Sequence, residues 1–388
     1  MNVLLAFDKF KDALSAREAG SIVAAALALG RAECSFDHCP LTDGGEGFAE
    51  ILTSAAGGTL HRVRVAGPRG RLVTAKFGLV KWGKIPPTAR AMLELPGLSL
   101  HARIAVVEMA QASGLALLGP KERDPWRTST RGTGQMIRAA IKAGAKAVIL
   151  GVGGSATHDL GLGALSILGS KFWQADGSIL RSLEPVSWGK LARITVARPA
   201  RGLPIRIACD VTNPLLGRRG AAKTYAPQKG LRARDYSRLE KETARVSAML
   251  CAQLGQPLAL REMPGAGAAG GISFGLMCAL RARLLPGFSL ISAWVDLPGR
   301  LAAAEIVVTG EGRFDRSSFN GKGPGSVVES ALALGKPVHV FAGQTAVRSR
   351  RPGLRVHAIT PRGRKLSDAL RETERNLARA AQCAFVGE

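Results

Sequence analysis

The sequence predicts an α/β protein with a mainly parallel β-sheet. Short apolar runs typical of buried strands alternate with helical segments along most of the chain. The clearest example is the last quarter, where strand-like segments at residues 305–309 and 338–342 flank a helical pattern over residues 324–334. Glycine-rich turns follow several predicted strands. Because ligands bind beyond the carboxyl ends of parallel strands, this pattern also predicts where functional groups lie.

The first elements are predicted by local signals in the N-terminal part of the chain. Residues 3–7 form a continuous apolar run, which indicates a buried strand. Ser15 and Glu18 have the spacing of a capping box, so we expect a helix from there to Gly30. Apolar and polar residues alternate on both sides of a turn that contains glycine and proline, which predicts a β-hairpin over residues 60–80.

The remaining elements are predicted by apolar runs and by helical periodicity. Residues 82–103 contain three prolines and no regular apolar period, so we expect them to form an inserted surface excursion. Later strands are expected at residues 104–108, 147–150, 205–209 and 354–359, and helices at residues 132–143, 233–254 and from Ser367 onward.

Length and composition restrict the class of protein. A chain of 388 residues allows two ordinary domains, and the absence of any run of about 18 apolar residues excludes a helical membrane span. The formal charge is strongly positive (54 − 29 = +25), but the arginines are spread along the chain and aromatic residues make up only 5%. We therefore expect no specific nucleic-acid partner and no membrane partner. Six cysteines without a CxxC motif are typical of a reduced, cytoplasmic protein.

Charged or hydroxyl groups recur at the ends of predicted strands. They occur at Asp8 with Lys11, at Gly153-Gly154-Ser155, at Asp210 and at Glu311. At each of these turns, backbone N–H groups and one functional side chain can converge on a ligand. These segments are the first candidates for a functional site.

Two glycine-rich segments are candidates for anion binding. In residues 153–157, small residues allow close backbone approach, and a following helix would direct N–H groups at a phosphate. A tight strand-to-helix turn without a ligand explains this segment equally well. Residues 265–270 match GxGxxG by spelling, but no clear strand precedes them, so they indicate a dinucleotide site only weakly. The chain contains no GxxxxGK[ST] motif, which excludes a P-loop enzyme.

Two further segments combine carboxylates with glycine. Asp43-Gly44-Gly45-Glu46-Gly47 suits Mg²⁺ coordination or hydrogen bonds to a polyol, and the alternative is a capped helix start. Residues 311–325 place Glu311, Arg313, Asp315 and Lys322 among many glycines. These charges can neutralise one another at the surface, but the density of glycine favours close approach to a ligand. His158 and His357 lack partners at ligand spacing, so we interpret both as structural residues.

Taken together, these segments resemble the bacterial glycerate kinase family, type 1. The resemblance extends in family order over about residues 3–345. The matching blocks are Phe7-Asp8-Lys9-Phe10-Lys11 with Leu14-Ser15, Asp43-Gly44-Gly45-Glu46-Gly47, Glu108-Met109-Ala110, residues 153–157 with Asp159, Cys209-Asp210-Val211, residues 264–271, Thr309-Gly310-Glu311-Gly312, and Asp315 with Gly321-Lys322.

The resemblance implies a fold, a reaction and cofactors. The family phosphorylates D-glycerate with ATP, usually at the 2-hydroxyl in bacterial members, and we expect Mg²⁺ to accompany ATP. The implied fold has two α/β domains with the active site in the cleft between them. One domain is Rossmann-like and assembled from both chain ends (residues 1–75 and 290–388), and the second (residues 76–289) is inserted. We expect a cytoplasmic monomer or homodimer.

Roles for the candidate residues follow as a hypothesis from this resemblance. Two glycine-rich loops would hold the ATP phosphates, carboxylates would hold Mg²⁺, and cations would bind the glycerate carboxylate or offset charge on the transferred group. Asp210 would orient or deprotonate the attacking hydroxyl. The full set is Gly153, Gly154, Ser155, Gly267, Gly270 and Gly271 for ATP; Asp43 and Asp315 for Mg²⁺; Asp210, Lys11, Arg313 and Asp8 as catalytic groups; and Glu46, Glu311 and Lys322 for substrate.

Departures from the family pattern leave two alternatives open. The family usually has serine where Lys9 stands and asparagine where His158 stands. These departures inside motifs suggest a kinase for a different small hydroxy acid or polyol. The charge of +25 suggests a non-catalytic protein that binds anions or nucleic acid.

Overall fold

The computed structural model describes residues 1–29, 33–196, 202–319, 323–347 and 351–385. In chain order, the strands of these residues are β1 (Asn2–Phe7), β2 (Ser35–His38), β3 (Thr59–Ala66), β4 (Leu72–Lys81), β5 (Arg103–Glu108), β6 (Ala145–Gly151), β7 (Lys171–Trp173), β8 (Arg193–Thr195), β9 (Ile205–Ala208), β10 (Arg283–Leu285), β11 (Ile306–Phe314), β12 (Val338–Thr345) and β13 (Leu354–Ala358).

The helices alternate with these strands, as expected for an α/β protein. Over the same residues they are α1 (Ala16–Ala28), α2 (Phe48–Ala55), α3 (Pro87–Leu93), α4 (Ala110–Ser113), α5 (Arg131–Lys142), α6 (Leu162–Ile167), α7 (Ala221–Tyr225), α8 (Tyr236–Leu254), α9 (Ala268–Leu280), α10 (Gly287–Trp294), α11 (Leu297–Ala303), α12 (Gly323–Ala333), α13 (Leu366–Arg371) and α14 (Thr373–Ala384). None of the helices in the described ranges is long and apolar enough to cross a membrane.

Met1–Asp43 and Ile291–Glu388 form one compact unit. Its described strands make a five-stranded, all-parallel sheet in the order β13-β12-β11-β1-β2. A parallel sheet is covered on both faces, which is why β1 reads as an unbroken apolar run and is almost completely buried. The capping box predicted for α1 is confirmed, since the Ser15 side chain accepts from the backbone N–H of Glu18 and the Glu18 side chain accepts from that of Ser15. The predicted helix end at Gly30 lies outside the described residues.

Gly44–Leu290 form a second compact unit. Its larger described sheet has the order β10-β9-β6-β5-β4-β3, with a parallel part (β5, β6, β9 and β10) and an antiparallel part (β3 to β5). The predicted hairpin is confirmed as the antiparallel pair β3 and β4. A small antiparallel pair, β7 and β8, lies outside this sheet.

The first division between the units differs from the predicted boundary. The chain divides between Asp43 and Gly44, whereas residues 44–75 were predicted to belong with the chain ends. The reason is strand pairing. Because β3 pairs with β4 along its whole length and β4 pairs with β5, the residues of the hairpin lie in the sheet of the second unit.

The predicted surface excursion at residues 82–103 is wrong in one respect, because the segment contains a packed helix. Ile85, Ala89 and Leu93 recur every four residues and are buried, as is Leu95. The side chain of Arg206 on β9 donates hydrogen bonds to the carbonyl oxygens of Leu93 (2.6 Å) and Glu94 (2.7 Å). The segment is therefore tied to the central sheet of its unit, and the prolines obscured its helical period.

Candidate active site

In the first unit, β1 and β11 deliver acidic groups to one sheet edge. The two strands are parallel neighbours with Phe7 opposite Gly310, and the N–H of Asp8 donates to the carbonyl of Gly310 (3.0 Å). Glu311 follows directly and its Oε1 accepts a hydrogen bond from the hydroxyl of Ser318 (2.6 Å). Burial raises the pKa of Glu311 to about 7, and the nearby Asp8 and Asp315 carboxylates add to this shift.

A lysine pairs with two carboxylates at this edge. Nζ of Lys9 lies 3.0 Å from Oδ1 of Asp43 and 3.8 Å from Oδ1 of Asp8. Asp43 was predicted to hold Mg²⁺, but here an ammonium group occupies one of its oxygens. Lys9 was noted in the sequence only as a departure from the family pattern, and its spacing from Asp43 gave no signal of this contact.

The remaining candidates of the first unit lie near the end of β11. Arg313 is largely exposed and its Nε lies 2.9 Å from Oδ2 of Asp315. Hydrogen bonds from the hydroxyl and N–H of Ser317 are the main reason that the pKa of Asp315 is lowered. Lys11 is exposed, and a Cβ atom built on Gly312 would lie 3.5 Å from its backbone nitrogen, so it lies beside β11. Lys322 lies outside the described residues.

In the second unit, three strand ends meet at the carboxyl edge of the parallel part of the sheet. Glu108 on β5 is opposite Gly151 on β6, which is opposite Ala208 on β9. Gly153-Gly154-Ser155 and Asp210 follow two of these ends directly. The structure thus brings the 153–155 turn (Gly153-Gly154-Ser155) and the strand carrying Asp210 to one edge, as the α/β pattern predicted.

The glycine-rich turn at residues 44–47 packs against the same edge. The N–H of Gly153 donates to the carbonyl of Gly44 (3.0 Å), and a Cβ atom on Gly153 would lie 2.6 Å from Cα of Gly45. Glycine is therefore required at position 153 because another backbone segment passes close to it, whether or not the turn binds a ligand. Glu46 is half-buried within this second turn. The two predicted turns are therefore in direct backbone contact.

Two buried carboxylates lie close in the chain to these strand ends and turns, and neither was among the predicted site residues. Glu108 is 1% exposed, and its Oε2 accepts from the N–H of Ala49 near the start of α2 (3.3 Å). Asp159 is fully buried and accepts hydrogen bonds from the N–H and hydroxyl of Thr130 (2.7 and 2.8 Å). Burial nevertheless raises the pKa of Asp159 to about 6. Glu108 and Asp159 stood in the family-like blocks of the sequence, which was the only available signal.

Asp210 has a structural partner as well as a predicted catalytic role. Both of its carboxylate oxygens lie 3.0 Å from the N–H of Phe288, in the first turn of α10. A carboxylate at this position stabilises the start of a helix. Asp210 is half-buried, so its carboxylate remains partly accessible.

Ser155 is held by a lysine that the sequence analysis did not single out. Nζ of Lys229 donates to Oγ of Ser155 (2.8 Å) and to the carbonyl of Thr157 (2.7 Å), and the lysine is 1% exposed. Since the chain has 54 lysines and arginines, no pattern distinguished this one before its burial was known.

The second glycine-rich loop is packed against protein backbone. A Cβ atom on Gly267 would lie 2.2 Å from the carbonyl oxygen of Pro214, and one on Gly270 would lie 2.1 Å from that of Thr157. At Gly271 the obstacle is the side chain of Leu160, at 2.5 Å. All three glycines are buried. The need for glycine is thus explained by packing, at Gly267 against Pro214, and at Gly270 and Gly271 against residues 157–160, which follow the 153–155 turn.

The two histidines behave differently from each other. His158 is fully buried, as expected for a structural residue, and its Nε2 lies 3.0 Å from the hydroxyl of Thr243. His357 has a partner that its spacing in the sequence did not show, since its Nε2 lies 3.3 Å from Nδ1 of His339 on the neighbouring strand. No group of three or more His, Cys, Asp or Glu side chains within the described ranges is arranged to hold a metal ion.

Comparison with known proteins identifies the chain. The model of the glycerate kinase family matches residues 3–386. Glycerate kinase of Halalkalibacterium halodurans is 35% identical over 349 residues, covering 88% of this chain and 85% of that protein. Glycerate 2-kinase of Escherichia coli K12 is 34% identical over 346 residues, with the same coverage. A crystal structure described as glycerate kinase 2 of Salmonella typhimurium LT2 superposes with a TM-score of 0.76 at 33% identity, covering 99% of this chain and 97% of that one.

These similarities extend over nearly the whole chain and agree with the α/β fold and the glycine-rich turns. They define the class of protein first: the chain is a kinase. More particularly, it belongs to the glycerate kinase family. The resemblance stated from the sequence motifs is confirmed.

Proposed function

We propose that the protein transfers the terminal phosphate of ATP to the 2-hydroxyl of D-glycerate, giving 2-phosphoglycerate and ADP. The observation that carries this proposal is the convergence, at one sheet edge of the second unit, of the 44–47 turn, the 153–155 turn and Asp210. Membership of the family supports glycerate as the acceptor. The name of the Escherichia coli relative, glycerate 2-kinase, supports the 2-position.

We assign the ATP phosphates to the 153–155 turn. Gly154 is exposed and Gly153 is half-buried, so backbone groups of the turn are accessible to a ligand. Small residues allow a phosphate to approach the backbone closely. In this proposal Gly267, Gly270 and Gly271 contribute indirectly, because they let the second loop pack against Pro214 and residues 157–160.

The catalytic step requires a base, an acceptor site and neutralisation of charge. We propose that Asp210 takes the proton of the attacking hydroxyl as the new P–O bond forms and the bond to ADP breaks. Glu46 would accept hydrogen bonds from the substrate hydroxyls. From the first unit, Lys11, Arg313 and Lys322 would bind the substrate carboxylate or offset charge on the transferred phosphate. Glu311 would bind the substrate, and Asp8 would act as a further catalytic group.

The carboxylates present fit Mg²⁺ that arrives with ATP better than a resident metal ion. Asp43 is paired with Lys9, and Asp315 with Arg313, so neither belongs to a preformed cage. Mg²⁺ usually keeps several waters and binds substrate phosphates with one or two carboxylates. We therefore propose MgATP as the substrate, with Asp43 and Asp315 as the carboxylates nearest to its metal. The ion would neutralise charge on the phosphates.

Two further points of the proposal concern substrate choice and location. Lys9, where the family usually has serine, supports a second candidate function, which is phosphorylation of another small hydroxy acid or polyol. Six free cysteines support a reducing, cytoplasmic location. A monomer or homodimer remains the prediction for the assembly.

The test is a coupled assay of ADP release with ATP, Mg²⁺ and a panel of hydroxy acids and polyols. We expect D-glycerate to give the highest kcat/KM, and product analysis to identify 2-phosphoglycerate. Release of 3-phosphoglycerate would overturn the position of transfer. A higher kcat/KM for another acceptor would favour the second candidate function, and binding of DNA without any ATP turnover would refute both.

A further inference from the structure

Lys229 is a buried cation that the proposed reaction does not yet use. It ends the single helical turn Pro227–Lys229, and its side chain is 1% exposed. Its two hydrogen-bond acceptors, Oγ of Ser155 and the carbonyl oxygen of Thr157, are both neutral. The charge of the ammonium group is therefore not balanced by its own hydrogen bonds. A buried charge in this situation is costly unless a counter-charge lies nearby.

The titratable groups that face Lys229 are His158 and Asp159. Burial, and secondarily the charge of Lys229, lowers the pKa of His158 to about 3, so the imidazole is neutral. Asp159 attracts the ammonium group, but its carboxylate is already committed to Thr130 and to the N–H groups of Gly161 and Gly163. Glu184 adds a like charge near Asp159. The net result is that burial lowers the pKa of Lys229 to about 7.

The position of Lys229 relates this charge to the candidate phosphate site. Ser155, which accepts its hydrogen bond, is the last residue of the 153–155 turn and is 8% exposed. Gly154, the preceding residue, is exposed. The lysine thus contacts the turn from its buried side, while the exposed side is open to a ligand.

We infer that Lys229 is a positioning residue for the polyphosphate of a nucleotide. It holds Ser155 and Thr157 in place, and its charge favours an anion on the exposed side of the 153–155 turn. This inference rests on the proposed function, in which that turn binds ATP. Lys229 acts through Ser155 and the turn rather than by direct contact, because its side chain is buried.

The inference predicts that ATP binding is coupled to proton uptake. In the free protein Lys229 is mostly neutral above pH 7, since its pKa is lowered to about 7. An anion nearby favours the charged form and raises that pKa, so a proton is taken up on binding. At pH 8 the phosphates of ATP are already ionised, because the last phosphate pKa is about 6. Proton uptake at pH 8 therefore reports on the protein.

The experiment is titration calorimetry of the full-length protein with ATP at pH 8, in buffers of different ionisation enthalpy. We expect the wild type to take up roughly half to one proton per ATP. Lys229→Met should lose this uptake and bind ATP about 10- to 100-fold more weakly, since a charged hydrogen-bond donor is removed. Lys229→Arg keeps the charge but cannot titrate, so it should bind ATP without proton uptake.

A matched control is Lys223→Met on α7, whose lysine is exposed and contacts the ring of Tyr236. Its ATP affinity and proton uptake should equal those of the wild type. Absence of proton uptake in the wild type, or equal uptake in Lys229→Met, overturns the inference. Where Lys229→Met fails to fold, Lys229→Arg takes its place, and absence of proton uptake in the wild type still overturns the inference.

The outcomes separate this inference from the proposed function. ATP binding with proton uptake but no phosphorylation of D-glycerate refutes the proposed function and leaves the role of Lys229 intact. If the protein is an active glycerate kinase and Lys229→Met leaves its ATP affinity unchanged, only the role of Lys229 is refuted. A wild-type protein that binds no ATP overturns both.

Discussion

The ammonium nitrogen of Lys9 lies 3.0 Å from Oδ1 of Asp43, and it also lies 3.8 Å from Oδ1 of Asp8. One side chain therefore supplies positive charge to two carboxylates that were predicted as site residues. The ammonium group of Lys9 thus competes with any metal ion for the carboxylate of Asp43.

Lys9→Ser should increase the apparent affinity for Mg²⁺. Removing the ammonium group leaves Asp43 available to the metal of MgATP, so the Mg²⁺ concentration for half-maximal activity should fall by about two- to fivefold, the range of a partly exposed ion pair. The measurement is a Mg²⁺ titration of initial rates at fixed ATP. Lys84→Ser, at an exposed position in the second unit, is the control. An unchanged Mg²⁺ requirement would show that Asp43 does not meet the metal ion.

Asp210→Asn should separate a catalytic role from a structural one. Asparagine keeps an oxygen that can accept from the N–H of Phe288, so the free energy of unfolding should fall by no more than about 1 kcal/mol. Loss of a positioned base should reduce kcat by about 100-fold or more. Denaturant unfolding and steady-state kinetics measure the two effects. A kcat within threefold of the wild-type value would remove Asp210 from the role of base.

Glu311→Gln should make the protein more stable at pH 8. The pKa of Glu311 is raised from 4.5 to about 7 in the folded state, so between these values the folded protein holds a proton that the unfolded chain has released. Stability therefore falls as pH rises through this window. Glutamine does not titrate, and its carbonyl can accept from Ser318. The stabilisation should be largest at pH 8 and shrink toward pH 5.

Urea unfolding at pH 5, 6, 7 and 8 measures this dependence. Glu374→Gln, at an exposed position on α14, is the control and should show the same fall in stability with pH as the wild type, because it keeps Glu311. If the free energy of unfolding of Glu311→Gln equals that of the wild type at every pH, ionisation of Glu311 does not destabilise the folded protein.

Gly270→Ala should destabilise the protein more than Gly177→Ala. Both glycines have positive φ (+71° and +81°), which costs an alanine about 1–2 kcal/mol. At Gly270 the new Cβ would also lie 2.1 Å from the carbonyl oxygen of Thr157, whereas nothing lies within 4 Å at Gly177. Crowding adds about 1–3 kcal/mol. Denaturant unfolding measures the loss of stability in both variants. Equal losses would show that the loop around Gly270 accommodates the methyl group without a free-energy cost.

Local signals explain which parts of the fold could be predicted. The run in β1, the capping box of α1 and the alternation in β3 and β4 are patterns that a few neighbouring residues define completely. The edge strand β2 (Ser35-Phe36-Asp37-His38) was missed because it is only partly buried and has no apolar run. Segment 82–103 was misjudged because its burial depends on β9, more than a hundred residues away.

The candidate site was predictable where backbone geometry imposed a residue type. The glycines of the 44–47 and 153–155 turns stood out for that reason. The sequence could not distinguish a glycine that faces a ligand from one that faces another backbone, which is the situation of Gly267 and Gly270. It also could not show Lys229, since burial of a lysine is a property of the folded chain alone.

The hydrogen bonds from Arg206 to Leu93 and Glu94 limit how this protein can be trimmed by engineering. Excising the connection between β4 and β5 would leave a guanidinium group that is 7% exposed with neither of these two acceptors. A shortened variant would need a compensating replacement of Arg206 by an apolar residue. The connection between β4 and β5 looks dispensable in the sequence, but in the folded protein its carbonyl groups bind the buried guanidinium group of β9.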